Sequence, residues 1–162
     1  MSERNPIPAG PDDLALSDVS LTPKWRVFTG EVRPGTSRRS DDQLVWSVSP
    51  GEWTVLGSRP NEGLVADLTH VRAMFRLTGA NAPGLIAKLC ALDLGEGMFP
   101  DGAAARSLFA GVATELIRDD QIGVRSYLIL PSRSFGLFVQ EAIIDAGEEF
   151  GISSVIGSPP LQ

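Results

Sequence analysis

The sequence predicts an α+β domain, an antiparallel sheet with helices on one face. Three observations carry this. Apolar residues alternate with period two over Leu44, Trp46 and Val48, over 72–78 and again over 112–117, the signature of half-buried strands. Two stretches instead repeat at three and four, the period of a helix. Their order along the chain is strand, strand, helix, strand, strand, helix, which suits one sheet backed by helices.

The elements follow in turn. Residues 1–19 are rich in Pro, Asp and Ser, without a sustained apolar period, and read as an arm. The apolar patch Trp25-Arg-Val27-Phe28 reads as a short strand returning to the body, and 33–42 as a polar Pro/Gly/Ser loop. Arms and loop together span 1–42, the body 43–156 and a tail 157–162. After the strand at Leu44–Val48, Pro50-Gly51 supplies the chemistry of a type II turn, and Trp53, Val55 and Gly57 resume the alternation. Arg72–Thr78 sets Ala73, Phe75 and Leu77 on one face and Arg72, Met74, Arg76 and Thr78 on the other. In the helix that follows, Asn81 is placed to cap, Pro83 lies in the first turn where a missing N–H costs nothing, and Ile86, Leu89 and Cys90 share a face. Val124–Leu130 reads as a central strand stopped by Pro131. In the last helix Phe135, Phe138, Ala142, Ala146 and Phe150 form one stripe, expected to be buried, with Ser132 or Ser134 as cap and Gly151 as the left-handed stop. The segment 103–110 has helical propensity yet runs straight into an alternating strand, and both assignments stay open.

Composition excludes several chemistries. The 162 residues carry 14 basic and 20 acidic side chains, a net charge of −6, with 43% hydrophobic residues. The length fits one domain, and the acidic balance disfavours duplex nucleic acid as a partner. One Cys and one His exclude an intrachain disulfide, a thiolate cluster and a multi-histidine metal site. No G-x-G-x-x-G, Walker or G-x-S-x-G motif occurs. The opening Met1-Ser-Glu-Arg-Asn-Pro has no apolar core of a signal peptide, and no apolar run reaches membrane-spanning length. The expectation is a cytoplasmic chain with no catalytic, cofactor-binding or metal-binding residues of its own.

The remaining candidates have structural readings. Asp67 and Thr69 read as turn caps with His70 a turn residue, against an Asp67–His70 pair. Cys90 reads as a small buried hydrophobe and the adjacent arginines 38 and 39 as a solvated loop face. Trp25, Trp46 and Trp53 divide between core packing and a partner-facing platform. Trp25 and Phe28, with Arg72 and Arg76 as a two-charge patch, are the candidate interface.

Several segments in order resemble the gamma-subunit family of heterotetrameric sarcosine oxidase. Val45-Trp-Ser-Val-Ser-Pro-Gly-Glu-Trp-Thr-Val-Leu-Gly57 resembles its P-x-E-W-L-L-L strand pair. Asp67-Leu-Thr-His-Val-Arg-Ala-Met-Phe-Arg-Leu-Thr-Gly79 is similar to its D-L-S-H…R-x-x-G strand, and 81–94, ending Ala-Leu-Asp-Leu94, to its following helix and exit. Phe99-Pro-Asp-Gly102, Arg133-Ser-Phe135 and Glu149-Phe-Gly151 match later landmarks.

That family is related to the folate-binding domain of the glycine-cleavage T-protein, so the resemblance implies ferredoxin-like β-α-β-β-α-β elements and a strand at Ala104–Ala110. It also implies a complex that oxidatively demethylates a secondary N-methyl amine and passes the one-carbon unit to tetrahydrofolate. FAD, FMN, NAD and tetrahydrofolate are implied on larger alpha, beta and delta subunits, none on this chain. T-protein-like domains carry a G-G-x-x-D-D hairpin whose second acid acts on the folate-borne group. The corresponding stretch, Leu108–Ile117, is read as lacking both hairpin and acid pair, and Asp119-Asp120 as a polar loop beyond it. The implied role is therefore structural, the alternative being a free-standing folate-binding protein or aminomethyltransferase-like enzyme.

Overall fold

The structure, a computed structural model, describes residues 14–28, 32–61 and 63–155. The N-terminal part of the expected arm, 1–13, and the expected tail, 157–162, lie outside them. In chain order the elements are β1 (Ala15–Asp18), β2 (Lys24–Val27), β3 (Thr36–Arg39), β4 (Gln43–Ser49), β5 (Glu52–Gly57), β6 (Val65–Asp67), β7 (Phe75–Thr78), α1 (Ala82–Leu89), β8 (Ala104–Phe109), β9 (Val112–Arg118), β10 (Ser126–Pro131), α2 (Gly136–Gly147) and β11 (Ser153–Val155).

The strands form two sheets. One runs β11-β1-β7-β10-β9-β8 and is antiparallel except for the β1–β11 pair; the other runs β3-β4-β5-β2-β6 and is antiparallel throughout. Both helices cover one face of the six-stranded sheet. There Phe75, Leu77, Leu116, Tyr127 and Ile129 meet Leu85 and Ile86 of α1 and Val139 and Ile143 of α2. The alternate residues Met74, Ile117, Leu128 and Leu130 point the other way, onto Leu44, Trp46 and Leu56 of the second sheet. The α+β class and the helices on one face are as the sequence predicts. The strands around Trp46 and Trp53, however, build a second sheet instead of joining the first.

Local chemistry explains the joints. Gly51 holds φ +77° at the expected turn between β4 and β5. Ala110 and Gly111, at φ +50° and +80°, make the two-residue left-handed turn between β8 and β9, whose twist matches an antiparallel hairpin. That hairpin settles the open segment as strand. Alanine's helix propensity amounts to a fraction of a kcal/mol per residue, less than a six-residue ladder with β9 supplies.

Two expectations are corrected. The strand expected at 25–28 is β2, but the expected arm 1–19 contains β1 and the expected loop 33–42 contains β3, and β1 inserts between β7 and β11 with Leu14 and Leu16 buried. Two leucines among Pro, Asp and Ser are too few to display a period. The stripe expected on the last helix is also corrected at its start, although Ala146 and Phe150 pack partly buried against the core as expected. Gly136, Val139, Ile143 and Gly147 face the core, while Phe135 and Phe138 are exposed.

The glycines let α2 approach closely. A Cβ on Gly147 would fall 2.8 Å from two side-chain carbons of Ile152. Gly147→Ala is expected to destabilise the chain by about 1–3 kcal/mol through overpacking, read as a lower urea midpoint with an unchanged m-value.

Candidate functional site

Cross-strand pairing in the second sheet places Arg39, Leu44, Leu56 and Lys24 in one row and Ser37, Trp46, Thr54, Arg26 and Ala66 in the next. Leu44, Trp46 and Leu56 from these rows pack on the six-stranded sheet. With a side-chain period of two, Lys24, Arg26 and Arg39 therefore enter the same interlayer. Charges there require partners, and the facing sheet supplies them.

Glu115 of β9 is the first partner, 2% exposed. Its carboxylate accepts from Trp46 Nε1 at 3.0 Å, Arg106 at 3.0 Å and Arg26 at 3.2 Å. Arg26 also reaches Glu52 at 2.8 Å. Glu52 is held below the usual carboxylate range, first by the Ser49 hydroxyl and then by Arg26 and Arg106. Asp119 is the second partner. It accepts from Arg76 Nη2 at 2.9 Å, Arg39 Nε at 3.1 Å and Gln121 Nε2 at 3.0 Å. Arg76 Nη1 also donates to Ser126 Oγ at 2.9 Å.

Next to this seam, Arg118 fastens the loop after α1. It donates to Phe99 O at 3.0 Å, Glu96 at 2.9 Å and Asp120 at 2.9 Å. The hydrogen bond from Arg118 depresses the Glu96 carboxyl, with Arg125 adding to it. Lys24 differs from these groups. Its ammonium donates to the carbonyls of Ser20 and Thr22, and burial, with Arg133 nearby, pulls its pKa down to about 8.

The residues named from sequence separate in this frame. Arg76 is 4% exposed, because β7 is a central strand covered on both faces, so Arg72 and Arg76 form no shared surface patch. Arg72 is half-buried and bridges to Ser132, and Phe28 is exposed. Trp46 belongs to the core between the sheets, whereas Trp25 and Trp53 lie half-buried on the outer face of the second sheet. Arg59 stands 5.8 Å from the Trp25 ring centroid, within cation–π range.

Asp67 Oδ1 accepts from the Thr69 N–H at 2.8 Å, leaving His70 an exposed turn residue. Cys90 is buried in the helix-side core. Arg39 belongs to β3 and is tied to Asp119, so the 33–42 segment is no purely solvated loop, and Asp119 is buried. Among the described residues no group of three His, Cys, Asp or Glu could hold a metal, and no helix is long and apolar enough to cross a membrane.

The hairpin expected to be missing is present, without an acid pair. The turn is Ala110-Gly111, and the strand after it carries Thr114-Glu115 and no acid pair. The Glu115 carboxylate there already holds three donors. Sequence reasoning missed Glu115, Asp119 and Lys24. For Glu115 the available signal was a single charge inside an otherwise uncharged strand stretch, Val112-Ala-Thr-Glu-Leu-Ile117, which demands a buried partner.

No family model matches the chain. Over 100 residues it is 34% identical to sarcosine oxidase subunit gamma from Corynebacterium sp. (strain P-1); the match spans 62% of this chain and 47% of that relative, so about half the relative's length is covered. In fold it is similar to a chain of heterotetrameric sarcosine oxidase from Corynebacterium sp. U-96 in complex with pyrrole 2-carboxylate, with a TM-score of 0.77, 22% identity and coverage of 91% of this chain and 90% of that one. It is also similar to aminomethyltransferase T of the glycine cleavage system from Bartonella henselae, with a TM-score of 0.67, 14% identity and coverage of 88% and 48%. The resemblance carried by the motifs is thus borne out: over 100 residues the chain is similar to a sarcosine oxidase gamma subunit, and its fold is T-protein-like.

Proposed function

We propose that the chain is the small, non-catalytic gamma subunit of a cytoplasmic, heterotetrameric sarcosine-oxidase-like complex. Its partners are larger alpha, beta and delta subunits. They hold FAD, FMN, NAD and tetrahydrofolate and oxidatively demethylate a secondary N-methyl amine with transfer of the one-carbon unit to the folate. The observation that carries the structural role is the state of Glu115. A general base must lie within hydrogen-bond reach of the proton it takes. This carboxylate is buried and accepts from Trp46, Arg26 and Arg106, so it joins the two sheets together. The gamma-subunit likeness supports the assembly. Phe28 and Arg72, with half-buried Trp25, are contact residues in this reading, and Arg76 acts only inside the fold.

The test is native mass spectrometry of whatever assembly forms when the full chain is co-expressed with those three subunits. The expected result is one heterotetramer containing one copy of this chain. A chain that stays monodisperse and alone in their presence overturns the reading. The T-protein-like fold favours one other reading, a free-standing folate-binding protein or aminomethyltransferase-like enzyme. Calorimetry of the isolated chain with tetrahydrofolate separates the two, saturable heat supporting the second.

A further inference from the structure

We propose that the outward face at the start of α2, Phe135, Leu137 and Phe138 with Val71 beside it, docks on a partner subunit. That subunit's contact surface is apolar and sets carboxylates opposite Arg133 and Arg72. The proposal rests on the gamma-subunit reading above and adds to it the surface used and the chemistry of its counterpart.

The first argument is an inversion of size across one helix. The face of α2 on the sheet carries Gly136, Val139, Ile143 and Gly147. A Cβ on Gly136 would fall 2.9 Å from the Ala73 Cβ, so small residues are required there. The large apolar residues of the same segment point outward, with Phe135 48%, Leu137 69% and Phe138 52% exposed. Large side chains ordinarily take the buried face and small ones tolerate the outer face. Contiguous exposed apolar surface of this kind marks an interaction site.

The second argument is continuity and charge. Arg133 N–H donates to Val71 O at 2.9 Å and Arg72 bridges Ser132, so the exposed Val71 lies alongside the helix start. Arg133 is exposed and Arg72 is half-buried at this edge. The carboxylates nearest in sequence are Asp67, bonded to Thr69, and Glu141, a turn beyond Phe138. A chain of net charge −6 therefore presents aromatic rings rimmed by cations. Interface cores are enriched in aromatic residues and Arg. A second copy related by a two-fold axis would bring the same cations toward each other, which favours a different, acid-rimmed protein surface.

The test co-expresses the full chain with the three larger subunits, one of them tagged, and measures how much chain the tag retains. Phe138→Glu and Arg133→Glu are each expected to lower retention by at least about tenfold. Leu108→Glu on β8 and Met98→Glu in the loop after α1, both at exposed positions, are expected to stay within about twofold of wild type. Thermal unfolding by circular dichroism checks that each variant folds. If Phe138→Glu does not, Arg133→Glu and amide exchange over 133–142 in the wild-type complex decide, with slowed exchange expected. Unchanged retention of the variants overturns the docking surface alone. A concentration-dependent dimer of the isolated chain, abolished by Phe138→Glu, assigns the face to a second copy and also overturns it. Wild type and every variant eluting alone removes the gamma-subunit reading itself.

Discussion

Glu115→Ala is expected to lower the unfolding free energy by about 3–5 kcal/mol, the usual cost of removing one member of a buried ion pair. The magnitude follows from what is left behind. Arg26 has Glu52 as a second anion, and Arg106 is partly exposed and lies 3.7 Å from Glu52, so both keep some compensation. Trp46 does not. Its ring is fully buried and its indole N–H donates to Glu115, so the variant leaves a buried donor unsatisfied, which alone costs about 1–3 kcal/mol. Glu115→Gln keeps an acceptor for Trp46 but loses the charge between two guanidiniums, so its cost should be smaller. Urea unfolding of both variants at neutral pH tests the order. A Glu115→Ala loss below about 1 kcal/mol would show the node to be a loose, solvated pair and would remove the structural reading of this acid.

The same node shows how far the sequence could be read. Period two at Leu44–Val48 and 112–117 marks strands that exist, and the Pro50-Gly51 and Gly151 joints fall where turn chemistry puts them. Those signals are local. The assignment of β4 and β5 to a second sheet is not, because alternation gives a buried face without saying which sheet covers it. Arg76 illustrates the gap. Alternation correctly opposes it to Phe75 and Leu77, yet whether that opposite face meets water or another sheet depends on β2 to β6 arriving over it. The helix stripe failed at its start for a related reason. Phe135, Phe138 and Ala142 carry a good helical period, but so do Gly136, Val139, Ile143 and Gly147, and only the proximity of Ala73 and Ile152 selects the second set. Of the site, the motif resemblance was legible. The ion seam was not, since its members are separated by tens of residues, as are Arg26 and Glu115 or Arg39 and Asp119.

Lys24 should make the chain more stable as the pH rises from about 8 to 10.5, and Lys24→Met should remove that rise. The amine is fully buried, and burial is the main cause that lowers its pKa from 10.5 to about 8, with Arg133 opposing the charge and Asp18 and Asp67 favouring it. At pH 7 the amine is protonated in the folded and the unfolded chain alike, so the whole cost of burying an ammonium is present. That cost is about 3 kcal/mol at 1.36 kcal/mol per pKa unit. Above about pH 8 the folded chain gives up its proton first. The unfolded chain then binds more protons, and stability climbs with pH until the unfolded amine also titrates. The neutral amine keeps two N–H groups for Ser20 O and Thr22 O, so the turn between β1 and β2 stays satisfied. Lys24→Met loses those bonds at every pH, which offsets the wild type and variant by a constant. Burial also raises the Tyr127 hydroxyl, and its ionisation opposes folding above pH 10 in both chains equally. The difference in urea unfolding free energy, wild type minus Lys24→Met, therefore isolates the lysine. It should shift in favour of wild type by about 3 kcal/mol between pH 7 and 10.5. A difference that stays flat across that range would mean the ammonium is solvated in the folded chain and the seam carries no buried excess cation.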